Sequence, residues 1–105
     1  MTLEQFRKNS IQELKNGSSY LKSIIKRVLN REFELYIIGS VLDKKQFTEN
    51  SDIDVGIFIW DNKLENGPNE RLTEKVREEL LKIPFEFGNV DVIVFNNQKP
   101  SGKEI

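Results

Sequence analysis

Ser51-Asp52-Ile53-Asp54-Val55-Gly56-Ile57-Phe58-Ile59-Trp60 combines the alternation of a buried strand with two carboxylates at its start. Side chains of an extended strand alternate between two faces, so Ile53, Val55, Ile57 and Ile59 make one apolar row. Asp52, Asp54, Gly56, Phe58 and Trp60 make the other row, with two carboxylates at its head. Asp is depleted in strands and like charges repel, so a second acid on the same face calls for a reason. One reading is a strand whose first residues are acidic and solvated; the other is a cation site.

Two neighbouring segments favour the cation site. Upstream, Phe33-Glu34-Leu35-Tyr36-Ile37-Ile38 has the β-branched and aromatic character of a strand and stops at Gly39-Ser40. Glycine leaves room for a ligand at the backbone, and a helical turn starting near Ser40 would present free N–H groups suited to a phosphate. Taken alone, the same dipeptide reads better as an ordinary turn with a helix cap. Downstream, Val90-Asp91-Val92-Ile93-Val94-Phe95 is an apolar strand with a single acid inside it.

In chain order these are Ile38-Gly39-Ser40 at a strand end, Asp52-Ile53-Asp54 opening a second strand and Asp91 within a third. The arrangement resembles the nucleotidyltransferase superfamily, whose DNA polymerase beta-like core carries a hydrophobic-Gly-Ser motif, then an acid-hydrophobic-acid motif, then a third acid. It covers roughly residues 18–95, and in size and texture the chain is most similar to the minimal nucleotidyltransferases that pair with HEPN-type proteins as toxin and antitoxin. The resemblance implies an α/β (α+β) nucleotidyltransferase fold, a small mixed three-stranded sheet with helices mostly on one face. It also implies Mg²⁺-dependent, or Mn²⁺-dependent, transfer of a nucleoside monophosphate from a triphosphate to an acceptor hydroxyl, with two ions. On that pattern Asp52 and Asp54 ligate both ions, while Asp91 ligates one and helps take the proton of the hydroxyl. Gly39, Ser40 and Ser51 lie at the nucleotide, and Lys44 and Lys45 are candidate phosphate contacts or else a solvated surface pair. Hard carboxylate oxygens are the ligands Mg²⁺ accepts, and paired ions suit a reaction in which charge builds on attacking and leaving oxygens together. The chain departs from the pattern after Gly-Ser, where many small members carry an Ala-Arg-Gly-like run and this one reads Val41-Leu42-Asp43-Lys44-Lys45. Other functions open on the same fold are an inactive, antitoxin-like binding module and a nucleotide sensor.

Composition narrows the chemistry. With 105 residues the chain makes one domain with one modest core. Neither cysteine nor histidine occurs, which excludes disulfides, thiolate or imidazole metal sites and His-dependent triads. Carboxylates, hydroxyls, lysines and arginines remain. Without a signal peptide or a long apolar run, a cytoplasmic protein with no membrane partner is expected. The net charge of -1 conceals an asymmetry: residues 1–32 hold seven Lys/Arg against three Asp/Glu, and residues 33–105 hold nine against fourteen. The basic third is a solvated helix face or a surface for an acidic partner; nucleic acid is disfavoured because no aromatics interleave the charge.

The remaining segments read as scaffold. Thr2 and Gln5 form a capping box for a helix with Leu3, Phe6, Ile11 and Leu14 at helical spacing, ended by Asn16-Gly17. Leu21, Ile24, Ile25, Val28 and Leu29 stripe a second helix from Ser18 to Asn30. A polar loop is expected over 61–68. Asn69 then caps a helix to about Lys82 carrying Leu72, Val76, Leu80 and Ile83, with Pro84 beyond it. Phe85-Glu86-Phe87-Gly88-Asn89 extends the third strand or covers the sheet as a loop. Phe58 and Trp60 read as packed aromatics, or as a stacking surface for a base. Residues 96–105 make a short tail in which Lys99-Pro100-Ser101-Gly102-Lys103 reads as frayed. Small members of the family continue into a further helix after the third acid, so either the chain is unusually short or it is a piece of a longer protein. An uncovered sheet edge would favour self-association or a partner.

Overall fold

The computed structural model describes residues 2–42, 48, 53–82 and 90–105, with only the backbone of residues 40 and 41. Helix α1 (Leu3–Asn16) starts at the expected capping box, where Thr2 accepts from the Gln5 N–H and Gln5 returns the bond to the Thr2 N–H. After Gly17 the chain re-enters helix as α2 (Ser18–Leu29), which Asn30 closes in the left-handed conformation. Strand β1 (Glu34–Ile38) leads into a 3-10 turn over Gly39–Leu42. Strand β2 (Ile53–Ile59) follows, then β3 (Gly67–Pro68), helix α3 (Glu70–Leu81), β4 (Val90–Asn96) and β5 (Lys103–Glu104).

The sheet order is β3-β4-β2-β1-β5. Strands β1 and β2 run antiparallel, whereas β2 and β4 run parallel through the α3 crossover, the connection a parallel pair requires. The alternation expected for β2 holds: Ile53, Val55, Ile57 and Ile59 are buried with Leu35, Ile37, Val92 and Val94 under Leu21, Ile24 and Ile25 of α2 and Leu72, Val76 and Leu80 of α3. This face carries the core because the inward side chains of the three long strands are aliphatic, apart from Asn96 at the far end of β4.

Two expectations are corrected. Gly67–Pro68, read as loop, pairs with Phe95 and Asn96 of β4. The tail is also structured: Lys103 and Glu104 pair with Ile37 and Tyr36, the Ile105 N–H donates to Leu35 O at 2.9 Å, and Ile105 packs against the core. Three main strands thus become five, because short segments at both edges take up backbone groups that β1 and β4 would otherwise leave unpaired. Only the second half of α1 reaches the core. Leu14 is buried and Ile11 packs beside it, whereas Leu3 and Phe6 are exposed, since helical spacing reports a face but not how far the body beneath it extends.

The opposite face of the sheet carries Glu34, Tyr36 and Ile38 beside Phe58, Gly56 and Asp54. The tail crosses this face at Gly56, where a Cβ would stand 2.8 Å from Pro100 Cγ, so the crossing needs a residue without a side chain. Lys99 Nζ lies 5.7 Å from the Phe58 ring centre and 3.6 Å from Glu34 Oε1. The Tyr36 hydroxyl donates to Glu34 Oε2 at 2.7 Å. That bond holds the proton, and with partial burial and the charges of Glu34 and Glu104 it pushes the phenol up to about 12 from its ordinary 10.0. A raised phenol pKa stabilises the fold while the unfolded chain is still protonated, and that contribution is lost as pH rises from about 10 through 12. Denaturant titrations should therefore show wild type losing more stability than Tyr36→Phe across this window; parallel curves would remove the hydrogen bond from the account.

Candidate functional site

Strand register brings two of the three predicted acids together. Asp54 pairs with Asp91 across the parallel β2/β4 ladder, and Ile38 pairs with Asp54 across the antiparallel β1/β2 ladder. Residues opposite one another share a face, and neighbouring strands lie about 4.8 Å apart, so the two carboxylates stand side by side at one end of the sheet. Both are partly exposed.

Gly39 completes this end. It follows β1 directly, has φ +80°, and lies against Asp54: a Cβ built there would come 3.2 Å from Asp54 Cγ and collide with Oδ2. Both the left-handed backbone and the contact require glycine. The 3-10 turn then carries Ser40 and Val41 away from the strand. The Gly-Ser motif and the second acid of Asp52-Ile53-Asp54, separate in sequence, thus form one corner. Asp52, Ser51, Lys44, Lys45 and the unusual Asp43 lie outside the described residues, as do Ile83, Pro84 and 85–89.

Asp91 is engaged from the side by a residue that the strand motifs gave no reason to single out. Arg77 of α3 donates from Nε to Asp91 Oδ1 at 2.9 Å and from Nη2 to Oδ2 at 3.2 Å, while its Nη1 donates to Glu74 Oε1 at 3.2 Å. The Val92 N–H adds a third bond, to Asp91 Oδ1 at 3.0 Å. Arg77 occupies a polar position of α3 between Val76 and Leu80, both in the core; its signal in sequence is no stronger than that of any basic residue three places from a glutamate. Next to the pair is a cavity of about 320 Å³ lined by Pro68, Glu70, Thr73, Glu74, Arg77 and Ile93.

A divalent cation fits this corner by its chemistry, since the donors are carboxylates, side by side and accessible. Among the described residues no group of three or more potential ligands is gathered; Asp54 and Asp91 make two, and Asp52 is the third by sequence. Trp60 takes no part in it. It is 69% exposed, so it is not a core residue, and it stands just past the end of β2, six residues from Asp54 and roughly 20 Å away at strand rise.

Comparison with known proteins adds the fold. No family profile matches the sequence, and no curated protein is significantly similar to it. Among solved structures, the Cid1 poly(U) polymerase, in a crystal structure with MgGTP bound, superposes with a TM-score of 0.52 at 17% identity. The chain has a nucleotidyltransferase-type fold. The match covers 86% of this chain and 33% of the polymerase, so the chain spans a third of that protein's length. At this identity the likeness is one of architecture, and the side chains must carry the rest. Among the described residues, no helix is long and apolar enough to cross a membrane.

The Gly39 contact is open to a direct test. Gly39→Ala should destabilise the fold by about 1–2 kcal/mol through the left-handed backbone alone, and by more where Asp54 must also move. In an Asp54→Ala background the second part disappears, so the two substitutions should be non-additive in urea unfolding. Strict additivity would mean that Gly39 and Asp54 are not in contact.

Proposed function

We propose that this protein transfers a nucleoside monophosphate from a nucleoside triphosphate to an acceptor hydroxyl, using the corner formed by Gly39, Asp54 and Asp91. The observation that carries the proposal is the in-register pairing of Asp54 with Asp91 beside a glycine that only a side-chain-free residue can occupy, on a fold shared with a poly(U) polymerase. Structural needs alone do not explain it: neither acid is inside the core, and a sheet gains nothing from like charges on adjacent strands.

The roles proposed for Gly39, Asp54 and Asp91 are supported by their positions, and those for Ser40, Lys44, Lys45, Ser51 and Asp52 by the sequence motifs. Gly39 lets the Asp54 carboxylate lie against the chain where a Cβ would displace it, and its backbone would meet the phosphates. Ser40, Lys44 and Lys45 belong with it as phosphate contacts, and Ser51 belongs with the nucleotide. Asp52 and Asp54 would hold Mg²⁺, with Asp91 as the further ligand. When bound, the cations neutralise charge on the phosphate oxygens and lower the pKa of the attacking hydroxyl. By the same motif pattern Asp91 would help take the hydroxyl proton as the oxygen bonds to the α-phosphorus and pyrophosphate departs. The likeness to minimal nucleotidyltransferases makes a HEPN-type protein the first acceptor to try.

The test is incubation with each labelled triphosphate, Mg²⁺ and the acceptor, for wild type, Asp54→Asn and Asp91→Asn. Transfer by wild type and loss of at least about a hundredfold in both variants, with unchanged circular dichroism, is the expected result, because ligands of one site act as a unit. A wild type that binds and neutralises its partner undiminished by either substitution, with no transfer, would establish a binding module instead.

A further inference from the structure

We propose that Arg77 is a built-in counter-cation for the carboxylate corner, a positioning residue that holds Asp91 in place and keeps divalent-cation affinity low until a further anionic ligand arrives. The inference rests on the reading of Asp54 and Asp91 as cation ligands and adds to it a residue outside all three motifs.

An ionised carboxylate offers about four lone-pair sites. In Asp91, Oδ1 accepts from Arg77 Nε and the Val92 N–H, and Oδ2 accepts from Arg77 Nη2. Three of those sites are thus committed to bonds from the described residues, and what remains is on Oδ2. A planar guanidinium that takes both oxygens fixes the carboxylate plane as well as its charge, which a lysine ammonium does not. Asp91 is thereby prepared as a one-oxygen ligand pointing in a single direction.

Charge leads to the same conclusion. Two neighbouring carboxylates repel, and a cation from the protein lowers that cost without a metal. The Arg77–Asp91 pair is about two-fifths exposed on each side, so its contribution to fold stability is small. The positive charge nevertheless lies within bonding distance of a proposed ligand, where it repels an incoming divalent ion. Glu74 holds the far side of the guanidinium at 3.2 Å, so Arg77 is anchored at the corner from two directions. A triphosphate brings the negative charge that offsets Arg77. The cation would therefore bind weakly alone and well in company with nucleotide.

Titration of the intact protein with Mn²⁺, followed by the electron paramagnetic resonance of free Mn²⁺, tests this without any activity measurement. Arg77→Gln should bind Mn²⁺ about tenfold more tightly than wild type, the scale of removing one unit charge a few ångströms from a divalent ion in a water-like dielectric. Arg77→Lys, which keeps the charge but not the fork, should lie between them, and the gap should shrink as salt rises. A folded Arg77→Gln or Arg77→Lys with the affinity of wild type or weaker would overturn the proposal. A purely structural ion pair would shift the melting temperature and leave affinity unchanged. Asp54→Asn separates the two levels: if it binds as wild type does, with and without a non-hydrolysable triphosphate, the metal-site reading itself fails; if it loses binding while Arg77→Gln gains nothing, only the Arg77 inference fails.

Discussion

The parallel register of β2 and β4 sets Asp54 opposite Asp91 and Val55 opposite Val92, and so fixes both the site and the core. A slip of one residue would turn Val92 and Val94 out of the core and bury Asp91 and Ile93 in their place, so hydrophobic burial excludes it. A slip of two would preserve the faces and separate Asp54 from Asp91 by about 6.5 Å along the strand. Burial cannot exclude that, and polar contacts at the other end of β4 do so instead. The Asn69 N–H donates to Val94 O at 2.7 Å, Thr73 accepts from the Val94 N–H at 2.9 Å, and the Asn97 N–H donates to Ile59 O at 2.8 Å. Asn97 also bonds Asp61 and Leu64 through its side chain, and Asn96 bonds Asn69 and Glu65. These bonds lock α3 and the 61–66 loop to one position of the ladder. Their consequence appears at the opposite end of the sheet, where the acids meet.

The same helix serves both ends. Asn69 caps α3 and ties its first turn to Val94, the apolar side Leu72, Val76 and Leu80 closes the core, and Arg77 reaches Asp91. The crossover that makes a parallel pair possible therefore also supplies the cation beside the third acid. On the other flank, the antiparallel β1/β2 pair brings Gly39 against Asp54 because Ile38 is opposite it. The corner is built from three adjacent strand ends and one helix face, with rigid secondary structure behind every described side chain, as precise chemistry requires.

Much of this was legible in sequence where one element explains one pattern. The row from Ile53 to Ile59 gave the buried face of β2, Thr2 and Gln5 gave the start of α1, and Asn69 gave the start of α3. The corner was legible as an ordered set of motifs because Gly39, Asp54 and Asp91 each break the local preference of a strand or strand end. The missing parts depend on contacts between distant segments. Nothing local in Lys103-Glu104 signals that it will pair with β1, and Gly67-Pro68 reads as a turn by its residue types. Arg77 is invisible for the same reason, since its partner is fourteen residues away on another element. Trp60 misled because aromatic residues in strands usually pack, and here the strand ends at Ile59, one residue too soon.

Whether Asp54 and Asp91 share a cation is decided by where a bound ion sits. Crystals soaked with Mn²⁺ and a non-hydrolysable nucleoside triphosphate should show anomalous density within about 2.0–2.3 Å of oxygens from both Asp54 and Asp91, in keeping with hard-ion coordination. Density held elsewhere, or triphosphate bound away from Gly39 with both carboxylates unengaged, would contradict it.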